Sequence, residues 1–180
     1  MSSKYKVGDI LESSKCGKFA IKEYVNSNRV YIQFLNTGYC KFVSTSAISH
    51  GQIKDPYTRS IYGVGYLGEG VNASVNGRLT REYNLWKNIL ERCYSEKKLS
   101  LFPSYRGCTI SERWQNYQNF ISDIPSLEGY DMWLDPANKY QLDKDIKFPG
   151  NKIYSVATCK FVSDTENSKD AVSRRLAKSK

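Results

Sequence analysis

The stretch that decides the fold lies near the C-terminal end and reads, from residue 140 to residue 168, YQLDKDIKFPGNKIYSVATCKFVSDTENS. A short strand pattern ends in an Asp-Lys-Asp run, and a Gly150-Asn151 turn follows it. A second β-rich pattern then leads to Ser163 and Glu166, whose Ser-x-x-Glu spacing is typical of a helix start. The sequence therefore predicts two strands followed directly by a helix.

The charge of the chain indicates the kind of partner. The 180 residues carry a formal net charge of +9, which favours a polyanionic partner, with nucleic acid ahead of a membrane surface. Aromatic residues make up 13% of the chain, and this content indicates a globular protein rather than a disordered basic tail. The length fits one domain or a small module joined to a larger one.

The first six residues and the cysteines bear on the compartment. The start MSSKYK has no apolar core, so we expect no signal peptide, and no apolar run approaches the length of a membrane span. The five cysteines are an odd number without a Cys-x-x-Cys pair, which argues against a disulfide framework and a zinc finger. We therefore expect a cytoplasmic protein with reduced thiols and no membrane partner.

The pattern of the chain divides it into three parts. Residues 1–56 show four short β patterns separated by turns, of which Arg29–Leu35 alternates best, and they predict a small SH3-like β-barrel. Residues 57–78 are rich in Gly and Tyr and are interpreted as a connection. Residues 79–180 begin with a helical stripe that Thr80 caps, and a second helix is expected from Ser111 to Pro125.

Several segments of this third part resemble the HNH, or His-Me finger, endonucleases of bacteriophages. The likeness is carried by residues 85–94, 105–109 and 114–120 together with 140–168, and it covers roughly residues 80–175. It implies an α+β fold that ends in a ββα-metal hairpin and helix, and a metal-dependent endonuclease that hydrolyses phosphodiester bonds in DNA. In phage-encoded form the enzyme would act in the host cytoplasm.

The resemblance also implies roles for individual residues. Asp143 and Asn167 would bind Mg²⁺ or Mn²⁺, and Asn151 would brace the loop between the strands. Lys144 stands where the family has its histidine, so Lys144 and Asp143 are the catalytic candidates. Lysine normally titrates far above neutral pH, and the flanking carboxylates favour its charged form. Three alternatives are open: the metal activates water alone, Lys144 serves as a fixed cation beside the phosphate, or the site no longer cuts.

The basic residues of this part predict a surface for duplex DNA. The expected phosphate contacts are Arg92, Lys97, Lys98, Arg106, Arg113, Lys169, Arg174, Arg175 and Lys178. The alternative function is a non-catalytic DNA-binding or regulatory protein that keeps a degenerate HNH scaffold and acts on a host or competitor protein. A third class is an adaptor that binds protein through the β module.

Overall fold

The computed structural model describes residues 4–177, apart from the side chains of residue 171 and residues 174–177. The chain is of mixed α and β type and forms two compact units, Met1–Glu69 and Gly70–Lys180, here called the N-unit and the C-unit. Their boundary falls inside the predicted connection 57–78, so that part of this stretch belongs to each unit.

The N-unit is a meander of four antiparallel strands followed by a short helix. Its elements are β1 (Ile10–Ser13), β2 (Gly17–Asn26), β3 (Arg29–Phe34), β4 (Cys40–Val43) and α1 (Thr45–Ser49). The predicted alternation in β3 is confirmed, because Val30, Ile32 and Phe34 are fully buried and belong to the core. Ile48 of α1 packs into the same core cluster.

The sheet of the N-unit does not close into the predicted barrel. Its strand order is β1-β2-β3-β4, so that β1 and β4 are its two edges among the residues described. The chain leaves β4 for α1 at once, because the Ser44 side chain accepts a hydrogen bond from the Ala47 N–H and caps the helix. Ile48 and Ile53 then cover the apolar face that closure would otherwise bury.

Part of the predicted connection is packed within the N-unit. The ring of Tyr57 lies between those of Tyr39 and Tyr66, at centroid distances of 5.5 and 6.1 Å. The hydroxyl groups of Tyr39 and Tyr57 both donate to the carboxylate of Glu69. Burial, together with this carboxylate, raises the pKa of Tyr39 to about 12. The aromatic residues thus hold this glycine-rich segment in place.

The C-unit combines short strands with helices around an aromatic core. Its elements are β5 (Ser74–Val75), β6 (Arg78–Leu79), α2 (Arg81–Tyr94), α3 (Glu96–Leu101), β7 (Thr109–Ile110), α4 (Glu112–Gln115), α5 (Tyr117–Asp123), α6 (Tyr130–Leu134), β8 (Tyr140–Asp143), β9 (Ile153–Tyr154), β10 (Lys160–Ser163) and α7 (Asp164–Ala177). β5 pairs with β6, β7 lies parallel to β9, and β8 lies antiparallel to β10.

Helix α2 forms as its sequence predicts. The Thr80 side chain accepts from the Tyr83 N–H, and Tyr83, Trp86, Ile89, Leu90 and Cys93 are buried. The indole N–H of Trp86 donates to the Trp114 carbonyl oxygen over 2.7 Å, which ties α2 to α4. The apolar stripe is therefore core, as expected from its helical spacing.

The helix predicted from Ser111 to Pro125 is broken into two. Asn116 has an extended backbone, and its side chain accepts from the Gln118 N–H to cap α5. This local hydrogen bond competes with the continuing helical ladder, as is common for asparagine. The break lets Trp114 and Phe120 meet edge to face at 5.1 Å.

In the range 4–177 no helix is both long and apolar enough to cross a lipid bilayer.

Candidate functional site

The predicted strand-strand-helix order is present at residues 140–177. Asp143 at the end of β8 pairs with Lys160 at the start of β10, and α7 follows β10 without a loop. The Ser163 hydroxyl accepts from the Glu166 N–H over 3.2 Å, which is the predicted cap. The Glu166 carboxylate instead accepts from the Lys160 ammonium. Asn167 consequently lies in the first turns of α7, which packs on both strands.

Two carboxyl groups meet where β8 ends. One oxygen of Asp143, Oδ1, accepts from the backbone N–H groups of Asp145 and Ile146 at 2.8 and 2.7 Å. The side chain of Asp145 is in hydrogen-bond contact with that of Asp143. Burial raises the pKa of Asp143, the neighbouring Asp145 adds to this shift, and the two N–H groups only partly oppose it. These two residues, here called the carboxylate pair, thus place two acidic groups in contact in a partly buried position.

Asn151 spans the loop that follows the carboxylate pair. Its side-chain amide donates to the carbonyl oxygen of Lys144 over 2.7 Å and to that of Ile153 over 2.8 Å. One residue therefore ties the end of β8 to β9 across the loop. These bonds fix the backbone that carries the carboxylate pair.

Lys144 is buried, with only 7% of the residue exposed. Its ammonium lies 3.2 Å from the Asp145 carboxylate and 5.7 Å from the centroid of the Tyr154 ring. These contacts hold the ammonium in place inside the C-unit, and the role of Lys144 as a fixed cation stays a prediction.

The side chains at this site that carry oxygen atoms are few. Mg²⁺ takes oxygen ligands, keeps several waters and needs only one or two carboxylates. Asp143 and Asp145 carry such oxygens in contact with one another, and Asn167 carries an amide oxygen on α7. That same part of the chain contains no group of three or more His, Cys, Asp or Glu residues arranged to hold a metal. A cation here would therefore rest on few protein ligands.

Three cysteines of the C-unit are buried near the carboxylate pair or near Lys144. Burial raises the pKa of Cys93 and of Cys159 to about 12. The positive charge of Lys144 opposes this shift in both thiols, but by less. Cys108 is buried beside Cys93. Neutral thiols are poor nucleophiles and poor metal ligands. The cysteines are therefore core residues, in agreement with the expectation of reduced thiols.

The basic residues predicted to contact DNA lie in different surroundings. Lys97, Arg106 and Lys169 are exposed, and Lys98 is half-buried. Arg92 is also half-buried, with its guanidinium over the Tyr105 ring at 5.6 Å and hydrogen-bonded to the Tyr154 hydroxyl. The Arg92 guanidinium thus contacts two tyrosines of the C-unit and is only partly accessible to a phosphate.

Arg113 and the residues at the C-terminal end differ from this group. Arg113 forms two hydrogen bonds to the Asp123 carboxylate, at 2.7 and 2.8 Å, so its charge is already compensated. This pairing disfavours the predicted phosphate contact. The backbones of Arg174 and Arg175 belong to α7, but their side chains lie outside the description, as does all of Lys178.

Sequence reasoning missed the partners that surround the site. Asp145 was expected only to flank Lys144, and Tyr154 was not expected to matter. The hydroxyl of Tyr154 is buried, and its environment raises its pKa through burial first. The Asp-Lys-Asp run was the available signal for Asp145, because a turn after the strand lets residues two apart face one another. No signal in the sequence marks the contacts of Tyr154, which arise from packing.

Comparison with protein-family models, curated proteins and solved structures gives no match to this chain.

Proposed function

We propose that the C-unit is a divalent-metal-dependent DNA endonuclease with an HNH-like ββα-metal site. The observation that carries this proposal is the carboxylate pair: Asp143 and Asp145 lie in contact at the end of β8, next to the helix that bears Asn167. The ammonium of Lys144 already pairs with Asp145, and a second cation at Asp143 would further offset the charge of this partly buried pair. We take a divalent ion as that second cation.

The chain's own residues would divide the work as follows. Asp143 and Asn167 would hold Mg²⁺ or Mn²⁺ from the strand and the helix, with Asp145 beside them. The bound ion would supply positive charge to the phosphate and to the leaving oxygen. Asn151 would keep the loop rigid through its two hydrogen bonds. Lys144 would position Asp145 through their ion pair rather than take up a proton.

The overall charge supports DNA as the substrate. The net charge of +9 favours binding to a polyanion, and Lys97, Arg106 and Lys169 are exposed cations of the C-unit. These residues would contact phosphates and so position the duplex without reading its sequence.

The test is cleavage of supercoiled plasmid with Mg²⁺ or Mn²⁺. The wild-type protein should cut, and excess chelator should stop it. Asp143→Ala should lower the rate on the order of a thousandfold, because several kcal/mol of transition-state stabilisation depend on the ion. The matched control is Asp131→Ala, which removes an exposed carboxylate of α6 and should leave the rate unchanged. Cutting in chelator, or undiminished cutting by Asp143→Ala, would overturn the metal assignment.

The burial of Lys144 and its ion pair with Asp145 favour a second function, one without cleavage. This buried, ion-paired lysine stands where a proton acceptor would be needed, and it supports a DNA-binding or regulatory protein that keeps the scaffold without cutting. If the wild type binds duplex DNA but does not cut, Lys144→His separates the two readings. Cleavage gained by Lys144→His indicates a nuclease weakened at this position. Continued inactivity with intact DNA binding supports the non-catalytic protein, for which a host or competitor protein is the further partner.

A further inference from the structure

An apolar tip lies on the C-unit between basic residues. Leu101 ends α3 and Phe102 follows it, and these residues are 64% and 48% exposed. Exposed cations stand on both sides in sequence, with Lys97 before the pair and Arg106 after it. The stretch from residue 95 to residue 106 carries three basic residues and one acidic residue, Glu96. Two large apolar side chains thus project within a positively charged segment.

The tip, defined as residues 97–106, is held by specific contacts. The Lys98 ammonium lies 5.2 Å from the centroid of the Phe102 ring, and the Tyr105 ring lies 6.3 Å from it. A turn of 3₁₀ helix spans Pro103–Tyr105, and the Lys152 ammonium donates to the Ser104 carbonyl oxygen over 2.8 Å. Phe102 is therefore presented on a structured turn instead of a free loop.

A continuous row of contacts joins the tip to the carboxylate pair. The Arg92 guanidinium lies over the Tyr105 ring and bonds the Tyr154 hydroxyl. The Lys144 ammonium lies 5.7 Å from the centroid of the Tyr154 ring and 3.2 Å from the Asp145 carboxylate. The tip and the proposed metal site thus belong to one connected set of aromatic and cationic side chains.

We propose that the tip is a wedge for duplex DNA, with Phe102 and Leu101 entering a base step while the cations around them meet phosphates. Apolar side chains that enter base steps unstack and kink the duplex, and flanking lysine and arginine residues hold the bent backbone. The three basic residues against one acidic residue in this stretch complement the phosphates of a duplex. This inference rests on the proposed function, since it takes DNA as the substrate of the same unit.

The wedge has a consequence for substrate preference. Opening a base step costs less at flexible pyrimidine–purine steps and least at a mismatch. The protein should therefore bind a duplex with a central mismatch more tightly than the matched duplex. Phosphate contacts alone would not produce this difference, because they do not depend on stacking.

The test measures binding of wild-type protein to matched and mismatched duplexes in chelator, where no cleavage occurs. A 2-aminopurine base beside the mismatch reports unstacking, and dyes at the duplex ends report bending. Phe102→Ala should lower affinity for the mismatched duplex about tenfold, the size of one aromatic stacking contact, and should remove the mismatch preference. Phe102→Leu should keep most of that preference. The salt dependence of binding should stay unchanged in both variants, because no phosphate contact is removed.

The control is Phe42→Ala in the N-unit. Phe42 is 44% exposed and has the Arg29 guanidinium 4.5 Å from its ring centroid, so it matches Phe102 in chemistry. An equal loss in both variants would indicate unspecific adhesion and overturn the wedge. Normal cleavage and mismatch preference in Phe102→Ala would overturn the wedge alone. A wild type that binds no duplex under any salt condition would overturn both the wedge and the proposed function.

Discussion

The two units each contain a buried or partly buried aspartate, and the surroundings of these residues are opposite. Asp55 of the N-unit is 5% exposed, and its carboxylate accepts from the Tyr57 N–H and from the hydroxyls of Thr37 and Thr58. Asp143 of the C-unit accepts from two N–H groups but also meets the carboxylate of Asp145. The carboxylate of Asp55 is hydrogen-bonded by neutral donors, whereas the carboxyl group of Asp143 lies against a second acidic side chain.

This difference is the ground on which we propose a structural role for Asp55 and a binding role for Asp143. The Asp55 carboxylate accepts three hydrogen bonds from its own turn and from Thr37, and these bonds account for its burial. A folded chain gains no stability from placing two carboxylates together, and such groups with a displaced pKa cluster at functional sites. We therefore propose that the protein gives up stability for binding at the end of β8.

The largest expected effect is on the stability of the N-unit. Asp55→Ala should lower the free energy of unfolding by about 3 kcal/mol, because three hydrogen bonds are lost and their donors stay partly buried. Denaturant unfolding monitors the change. Asp9→Ala is the control, since the Asp9 carboxylate accepts from the exposed Lys6 N–H, and it should cost well under 1 kcal/mol. Equal costs would show that Asp55 is not the matched carboxylate described above.

The next effect concerns the loop that carries the carboxylate pair. Asn151→Ala should cost about 1–2 kcal/mol, because two hydrogen bonds across the loop are lost. It should also reduce plasmid cleavage, since Asp143 and Asp145 are no longer held. Asn138→Ala removes a single side-chain bond, to the Met132 carbonyl oxygen, and should cost about half as much without affecting cleavage. An Asn151→Ala protein with full activity would make this residue a purely structural one.

A gain in stability is expected at the carboxylate pair itself. In chelator at neutral pH, Asp143→Asn should raise the free energy of unfolding by up to about 1 kcal/mol, because the repulsion from Asp145 is removed. Asp145→Asn should instead destabilise, since it leaves the buried Lys144 without its ion pair. Thermal unfolding with and without Mn²⁺ measures both changes. A loss of stability in Asp143→Asn would remove the contrast with Asp55.

The smallest effect is the pH dependence of the Arg113–Asp123 pair. Hydrogen bonds from Arg113, with help from the Trp114 indole N–H, lower the pKa of Asp123 below its usual value. The stability from this pair is present above the unfolded pKa of about 4 and is lost as pH falls through the lower folded value. Asp123→Asn should flatten the acid limb of thermal stability between pH 5 and about 2. An unchanged limb would show that the pair contributes nothing, and would leave Arg113 available to DNA.

The sequence predicted those elements whose pattern is local. The alternation in β3, the Thr80 cap of α2 and the Ser163 cap of α7 depend on residues close in the chain, and the structure contains all three. The predicted barrel does not close, and the helix predicted from Ser111 is broken into two. Both differences depend on contacts that the local pattern does not contain. The apolar face of the sheet is covered by Ile48 and Ile53, and a side-chain bond at Asn116 interrupts the helix.

At the candidate site, too, the sequence predicted local order but not the contacts between residues distant in the chain. Asp143, Asn151 and Asn167 were singled out from their order in one hairpin and helix, and the structure brings them into one strand-strand-helix unit. The burial of Lys144 and its contact with Tyr154 could not be predicted, because Tyr154 is placed by the parallel pairing of β7 with β9. The pairing of Arg113 with Asp123 likewise depends on the bend at Asn116.

The central claim, that the carboxylate pair binds a divalent cation, is tested most directly by calorimetric titration of the DNA-free protein with Mn²⁺. Wild-type protein should bind one ion per chain in the millimolar range or tighter. Asp143→Asn should abolish this binding, and Asp131→Asn should leave it unchanged. A wild type without Mn²⁺ binding, or an Asp143→Asn variant that binds as the wild type does, would contradict the account.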